Sequence, residues 1–509
     1  MNKHDKEKAI GILQEANESF PAGIDWKKLL EKISEFVTYL QASEELLILA
    51  IERAQHQKPS YPAPTSGGAE FGWLPYLFKH ANDKDSDDPL IVAFQKRLEE
   101  VFGSYTDVLE KFIHVIGMII DPKIEKKQWQ FLEENMDKSN IIANDGTIVG
   151  TNKFEDLDTG WLYVPANYLY NLAFPAGIAA FIPPAPAKPF NGKIGGTAST
   201  IKVAIIGDWG TGDYEASEHY EPAAGVMQAV QNLDPDYVIH LGDVYYCGTD
   251  LRLPPGEEAA NLLAHWPAEF SGKSFTLNSN HEMYGGAQGY FEIALNRASP
   301  GKSPFNVQNG FSYFALEFGS WVLVGLDAAY HDTSSLYMQG GIGTIDELPK
   351  HPQLTFLTDI AKQYGDKKII LLSHQTGMST DGTTTDDYPL LSQIQATGLK
   401  PDYWYWGHIH LGLVYGMKSA VTTASGGTIK ARCVGHSAVP FGTPWGLKTG
   451  GEVIDFIADD PVAGSPLAKN GLAMLTLTND GKITEQFFNG VPVGSGEKPS
   501  PVWTGTADA

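Results

Sequence analysis

The amino-acid sequence predicts an α/β protein in which a mainly helical N-terminal segment precedes a layered α/β domain. Two observations carry this prediction. Apolar residues recur every three to four positions through parts of residues 1–150, which is typical of amphipathic helices. After residue 200, short apolar runs such as VAIIGDW, YVIHLGD and KIILLSHQ alternate with polar, helix-compatible stretches, which indicates the strands of a layered sheet.

The helical module is predicted over residues 1–150. One apolar face consists of Leu29, Ile33, Phe36, Val37 and Leu40. No group of catalytic side chains stands out here, so we expect a structural module or one that binds a protein partner. A Pro/Gly-rich arm and linker is predicted over 151–200, the α/β domain over 201–493, and a disordered tail over 494–509.

Two β-hairpins are predicted inside the α/β domain. The first joins residues 311–318 to residues 321–326 through Gly319-Ser320, because two apolar runs separated by a short turn favour antiparallel pairing. The second lies in GLAMLTLTNDGKITEQFFNG, where an Asp-Gly pair forms the turn.

Composition limits the classes of partner and the compartment. The formal net charge of -24 argues against nucleic acid as the main partner. Only two cysteines are present, and the N-terminus lacks the apolar core and cleavage site of a signal peptide, so we expect a cytoplasmic protein. The longest charge-free run, 161–187, contains five prolines, and we therefore expect no transmembrane segment.

Side chains of metal-binding type follow the predicted strands of the second domain. These are Asp208, Asp243 with Tyr246 three positions on, Asn280, His281, His374, His408 and His410. Because successive strands of such a sheet present their carboxyl ends to one edge, residues far apart in the sequence can meet there. Carboxylate, amide, phenolate and imidazole donors suit borderline or hard ions such as Fe, Mn or Zn, and they differ from the donors of a soft thiolate site.

The chemistry of these residues suits two adjacent ions. His408 and His410 are two positions apart, which in an extended segment places both rings on one side. One aspartate can bridge two ions through its two oxygens. A metal pair roughly 3.5–4 Å apart can clamp the attacking and leaving oxygens of a phosphoryl displacement. A two-metal site of this kind would suit the hydrolysis of phosphate esters.

Five motifs, GDWG, GDVYY, NHE, LLSH and GHIH, stand in the order and approximate spacing of the calcineurin-like metallophosphoesterases. Over about residues 197–493 the chain resembles the purple acid phosphatase branch of that superfamily. Gly210 stands where many relatives have histidine, and Tyr246 stands where the branch has a tyrosine that binds ferric iron. Ser279 replaces the glycine that is usual before the Asn-His pair.

The resemblance implies a fold, a metal centre and a mechanism. The fold would be a four-layer α/β/β/α sandwich of two mixed sheets flanked by helices. One site would hold Fe, and the second would hold Fe, Mn or Zn. The implied iron ligands are Asp208, Asp243, Tyr246 and His410; those of the second ion are Asp243, Asn280, His374 and His408, with Asp243 bridging. A metal-bound hydroxide would be the nucleophile, and His281 would protonate the leaving alkoxide.

The sequence leaves three functions open. We expect a phosphomonoesterase of the acid phosphatase type. A phosphodiesterase acting, for example, on cyclic nucleotides could use the same metal site, because the ligand set does not separate the two. A non-catalytic scaffold that retains the fold is the third possibility, although every ligand position carries a competent residue.

Overall fold

A computed structural model describes residues 177–506 of the chain, together with isolated positions between 153 and 171. Within 177–506 the undescribed positions are 185–186, 216–220, 251–255, 345, 347–350, 440–446, 448–451 and 458–467. The predicted helical module over 1–150 lies outside the described residues.

The described residues form two mixed β-sheets. The six-stranded sheet has the order β14-β13-β12-β2-β3-β4. Its strands are β2 (Thr200–Ile206), β3 (Tyr237–His240), β4 (Ser274–Thr276), β12 (Gly471–Thr478), β13 (Ile483–Asn489) and β14 (Pro501–Thr506). Strands β2, β3 and β4 run parallel, and β12 pairs antiparallel with β2.

The eight-stranded sheet has the order β1-β5-β6-β7-β8-β10-β9-β11. Its strands are β1 (Asn191–Lys193), β5 (Phe314–Phe318), β6 (Trp321–Gly325), β7 (Lys368–Ser373), β8 (Tyr403–Trp406), β9 (Gly412–Tyr415), β10 (Lys430–Val434) and β11 (Val453–Phe456). Strands β6, β7, β8 and β10 run parallel, so their carboxyl ends meet at one edge.

Five α-helices accompany the sheets within the described residues. They are α1 (Pro222–Leu233), α2 (Asn280–Tyr284), α3 (Pro352–Gln363), α4 (Leu390–Ala396) and α5 (Ala420–Ser425). Short 3-10 and π helices span Glu258–Leu262, Leu263–His265, Ala268–Phe270, Gly289–Ala294, Pro300–Lys302, Asn306–Gln308 and Ser335–Tyr337.

Three apolar clusters follow from the alternation of side chains along the strands. In β2, Val203 and Ile205 enter a cluster shared by both sheets, whereas Ala204 and Ile206 pack in another cluster with residues of α1. A third cluster joins the eight-stranded sheet to α3, α4 and α5. The sheets therefore pack face to face, and helices cover the outer face of each, as the predicted α/β class requires.

Both predicted hairpins are confirmed. Strands β5 and β6 pair antiparallel across Gly319-Ser320, and β12 pairs antiparallel with β13 across the Asp-Gly turn. The prediction of a disordered tail is wrong for residues 501–506, which form β14 and pair with β13. The ring of Trp503 in this strand lies 5.7 Å from that of Phe487. This apolar contact offsets the conformational entropy that a Pro/Gly-rich segment loses when it becomes ordered.

One further observation bears on the predicted boundary at residue 201, and another bears on membrane-spanning helices. Asn191–Lys193, inside the predicted linker, pairs with β5, so the sheet begins before residue 201. Among the described residues, none of the helices combines the length and apolar character needed to cross a bilayer.

Candidate metal centre

The predicted site residues lie where parallel strands end. Asp208 follows β2, Asp243 follows β3, His374 follows β7 and His408 follows β8. Three of them have left-handed backbone conformations, with φ of +59° at Asp208, +75° at Asp243 and +65° at His408. Such angles are uncommon for residues other than glycine and cluster at functional sites.

A glycine precedes each of these three residues. At two of these positions, Gly242 and Gly407, the backbone conformation or the close packing requires a glycine. Gly242 has a φ of +101°, which a residue with a Cβ adopts only at a cost. At Gly407 a Cβ atom would lie 2.5 Å from Asp208 Oδ2. The absence of a side chain at Gly407 therefore lets the ends of β8 and β2 approach, and Asp208 Oδ2 accepts a hydrogen bond from the backbone N–H of His408 at 3.0 Å.

One half of the centre surrounds Nε2 of His374. This nitrogen lies 2.9 Å from Oδ1 of Asn280 and 3.2 Å from Oδ1 of Asp243. The other ring nitrogen, Nδ1, is 2.9 Å from the carbonyl oxygen of Leu241. Since a carbonyl only accepts, Nδ1 carries the proton of the neutral ring, and Nε2 presents a lone pair.

The ionisation states agree with this assignment. Burial lowers the pKa of His374 to about 3, although Asp243 opposes the shift, so the ring is neutral near pH 7. Burial would raise the pKa of Asp243, but His374, His281, His408 and the Ser279 hydroxyl bring that pKa below its usual value. Three acceptors, on Asp243, Asn280 and His374, therefore converge with no proton between them.

The other half of the centre surrounds the hydroxyl of Tyr245. The Tyr245 oxygen lies 3.2 Å from Asp243 Oδ2, 3.5 Å from Asp208 Oδ1 and 3.2 Å from His410 Nε2. His410 Nε2 is also 3.6 Å from Asp208 Oδ1. One phenolic proton cannot serve two carboxylate oxygens at once. The second cluster thus joins two carboxylate oxygens to one hydroxyl and one imidazole nitrogen, all of them groups that can bind a metal ion.

Asp243 is central to both halves. Its Oδ1 faces His374 and its Oδ2 faces Tyr245. Ligand atoms of Asp208, Asp243 and His374 all lie within 4.8 Å of one another, and all three residues are buried. The ring of His408 stands 5.1 Å from that of His374. The structure thus brings the predicted aspartates, asparagine and three histidines into one buried cluster.

Tyr246 takes part in the site through its backbone. Its N–H donates to Glu257 Oε1, and its carbonyl oxygen lies 2.7 Å from His281 Nδ1. The role of Tyr246 as a metal ligand stays a prediction. The hydroxyl that contacts both aspartates and His410 is that of Tyr245, a residue that the sequence argument did not single out.

His281 lies beside the cluster with a fixed ring orientation. Its Nδ1 donates to the carbonyl of Tyr246 at 2.7 Å, and its Nε2 is 3.9 Å from Asp243 Oδ2. The ring packs edge-on against Tyr245 and Tyr284, with centroids 4.7 and 5.1 Å away. Nε2 is therefore the nitrogen directed towards the cluster.

Ser279, which replaces the usual glycine before the Asn-His pair, and Glu282 are site neighbours whose contacts the sequence did not predict. Ser279 Oγ contacts one oxygen each of Asp243 and Glu282, and it caps α2 by accepting from the N–H of His281 at 3.0 Å. Burial, and then Asp243, raise the pKa of Glu282 to about 8. The pattern Ser-x-x-Glu at a helix start is a capping-box signal that could have identified both.

The donors fit a pair of metal ions. Ionised carboxylate, neutral imidazole and amide oxygen are the protonation states that metal binding needs, and the mixture suits Fe, Mn or Zn. Lone pairs that converge without a shared proton in a buried site are costly unless a cation neutralises them. The cluster is thus a candidate metal centre on its own chemistry.

Comparison with known proteins shows which family the region around this site is similar to. Residues 201–412 match the family model described as calcineurin-like phosphoesterase, and this range contains all the predicted site residues. No curated protein matches the chain.

Two solved structures show distant similarity. A purple acid phosphatase, PPD1, from yellow lupin (Lupinus luteus) seeds is 14% identical, with a TM-score of 0.35, and the alignment covers 59% of this chain and 53% of that one. The chain thus spans about half the length of the lupin protein. A structure of PhoD is 13% identical, with a TM-score of 0.35 and coverage of 64% and 70%. The match to the family model shows that residues 201–412 are similar in sequence to the calcineurin-like phosphoesterases.

Proposed function

We propose that this protein is a dinuclear metal-dependent phosphomonoesterase. The observation that carries the proposal is the convergence of acceptors on Asp243, Asn280 and His374, next to the cluster of Asp208, His410 and the Tyr245 hydroxyl. Two cations would satisfy both clusters, and Asp243 would bridge them because its two oxygens face opposite halves.

The second ion would be bound by Asp243, Asn280, His374 and His408. His374 is prepared for this role, because its hydrogen bond to Leu241 fixes the tautomer and directs Nε2 towards the other donors. Such orienting contacts are typical of metal-binding histidines. Fe, Mn or Zn would suit this donor set.

The first ion would be bound by Asp208, Asp243, His410 and a tyrosine. The family spacing points to Tyr246, whereas the hydroxyl contacts point to Tyr245. We place Tyr245 at the metal, with iron as the ion that phenolate favours. Tyr246 then contributes its carbonyl group, which orients His281.

His281 would act on the leaving group. Because Nδ1 donates to the Tyr246 carbonyl, proton transfer to the departing alkoxide would come from Nε2 of the protonated ring. This nitrogen is 3.9 Å from Asp243 Oδ2, so the Asp243 carboxylate would stabilise the imidazolium. The bound cations would polarise the phosphoryl group and activate a water molecule.

The experiment compares two chromogenic substrates. The purified protein, reconstituted with Fe and Zn after chelation, is given 4-nitrophenyl phosphate and bis(4-nitrophenyl) phosphate. We expect a higher kcat/KM for the monoester and no turnover by the Asp243→Asn variant. A preference for the diester would instead support the phosphodiesterase alternative. Protein that binds two ions and hydrolyses neither ester would support the scaffold alternative.

A further inference from the structure

The amide of Asn280 has to present the correct end to the second metal position. Its Oδ1 lies 2.9 Å from His374 Nε2 and can bind a cation, whereas its Nδ2 is a donor and cannot. Rotation of the amide by half a turn would replace the oxygen by the NH2 group. A fixed orientation of Asn280 is therefore a condition for binding the second ion.

The Nδ2 end of this amide contacts Tyr284, one turn further along α2. The distance from Asn280 Nδ2 to Tyr284 Oη is 3.1 Å, in agreement with the i, i+4 geometry of a helix. Met338 Sδ lies 4.0 Å from the same nitrogen and 3.7 Å from Tyr284 Oη. The amide nitrogen thus faces two weakly or moderately accepting atoms.

The hydroxyl proton of Tyr284 is engaged elsewhere. Tyr284 Oη lies 3.0 Å from the carbonyl oxygen of Leu336, and a carbonyl can only accept. The single hydroxyl proton therefore points to Leu336, and the oxygen offers a lone pair to Asn280. If the amide were rotated, Asn280 Oδ1 would face that lone pair with no proton between the two oxygens. Tyr284 accordingly selects one orientation of the amide.

The Leu336 carbonyl is itself held by an unusual backbone. Leu336 and Tyr337 both have φ of +56°, a conformation that non-glycine residues adopt rarely and in which strain is maintained by surrounding contacts. The Tyr337 carbonyl accepts from Gln375 Nε2 at 3.1 Å, and Gln375 is adjacent to His374. The loop is thus fastened to residues next to two predicted ligands of the second ion, Asn280 and His374.

We infer that Tyr284 is a positioning residue for the second metal: its hydroxyl, oriented by the Leu336 carbonyl, directs the Asn280 amide oxygen to the ion. This inference rests on the proposed two-metal function. It assigns a task to a side chain that need not touch metal or substrate, and it predicts that one ion depends on a hydroxyl outside the ligand set.

The test removes the hydroxyl and measures metal binding. The full chain is chelated and titrated with Mn²⁺, and the bound ions are counted by calorimetry. For Tyr284→Phe we expect one of the two binding steps to weaken about 10–100-fold, the usual effect of losing a residue that orients a ligand. The ring remains in place against His281, so packing is retained.

A matched control is Tyr290→Phe. Tyr290 is also buried, and its hydroxyl donates to the Thr276 carbonyl at 2.9 Å. This variant deletes a hydroxyl of the same kind, and we expect two unchanged binding steps. If Tyr290→Phe weakens Mn²⁺ binding as much as Tyr284→Phe does, the effect is structural and the inference fails.

Repeating the Tyr284→Phe substitution in an Asn280→Asp protein distinguishes orientation of the Asn280 amide from a general contribution of Tyr284 to the fold. In Asn280→Asp both ends of the side chain are oxygens, so selection of one end is no longer needed. We expect Tyr284→Phe to weaken Mn²⁺ binding much less in the Asn280→Asp protein than in the native one. Equal losses in both backgrounds, or no loss in the native one, would overturn the inference. If the native chain binds fewer than two ions, the proposed function itself fails.

Discussion

Replacement of Tyr245 by phenylalanine tests which of the two adjacent tyrosines, Tyr245 or Tyr246, binds the first metal ion. The phenol oxygen is within 3.2 Å of Asp243 Oδ2 and of His410 Nε2. In chelated protein, Tyr245→Phe removes a buried hydrogen bond to an ionised carboxylate, and such a bond contributes about 1.5–3 kcal/mol. We expect a loss of this size in the free energy of unfolding, measured with urea.

The effect on metal binding should be larger. Residues that merely orient a ligand change affinity about 10–100-fold, so loss of a direct ligand is expected to reach at least about 100-fold, or about 2.8 kcal/mol. Iron-loaded native protein should show a visible tyrosinate-to-iron charge-transfer band, and Tyr245→Phe should abolish it. Tyr246→Phe keeps the backbone contacts to Glu257 and His281, and it should keep the band.

The opposite pattern would refute this reasoning. If the band vanishes in Tyr246→Phe and persists in Tyr245→Phe, the family spacing identifies the ligand and the hydroxyl contacts of Tyr245 do not. A colourless active enzyme loaded with Mn or Zn would refute the iron assignment and leave the phosphoesterase proposal in place.

Three further predictions concern individual side chains. His281→Ala should keep both ions in elemental analysis but lower turnover about 10²–10⁴-fold, the scale of general acid catalysis; loss of the ions would show that His281 is misassigned. Asn280→Ala should lose the second ion and keep the first, and a count of two ions would contradict the ligand set. Burial lowers the pKa of His436 from 6.5 to about 3. Between about pH 3 and pH 6.5 the unfolded chain therefore binds a proton on this ring and the folded chain does not. The contribution of His436 to the free energy of unfolding is highest above pH 6.5 and decreases as the pH falls below it. By linkage, the pKa difference lowers the free energy of unfolding by about 2 kcal/mol at pH 5. The decrease in unfolding free energy between pH 7.5 and pH 5 should therefore be smaller by that amount in His436→Gln than in the native protein. Equal decreases would show that His436 does not titrate in this way.

The strand-end arrangement could be predicted because it depends on short-range patterns. Apolar runs that end in Gly-Asp or Gly-His place metal-binding side chains at the carboxyl edge of parallel strands, and the structure brings Asp208, Asp243 and His408 together there. The two hairpins could be predicted for the same reason, since each is a local pairing across a short turn.

The choice between adjacent tyrosines could not be made in this way. Residues 243–246 leave the strand through a left-handed residue at Asp243, so neither strand nor helix periodicity tells which hydroxyl returns to the cluster. Spacing alone favoured Tyr246, whereas three-dimensional contacts involve Tyr245. The position of a side chain after an irregular turn depends on packing between distant segments.

The order of the C-terminal tail could not be predicted for a related reason. Residues 494–509 are rich in Gly, Pro and Ser, and composition of that kind predicts disorder. Strand β14 nevertheless forms because β13 offers a pairing edge and Trp503 finds an apolar neighbour in Phe487. Both partners precede the tail in sequence, and composition does not reveal them.

The metal content of the native protein and of Asp243→Asn decides whether the chain holds a dinuclear centre bridged by Asp243. Asp243 directs one oxygen to each half of the candidate centre, so a single change should affect both ions. We expect two ions per chain in the native protein and the loss of both from Asp243→Asn, measured by elemental analysis on folded samples. Native protein with fewer than two ions, or a variant that keeps both, would contradict the dinuclear centre.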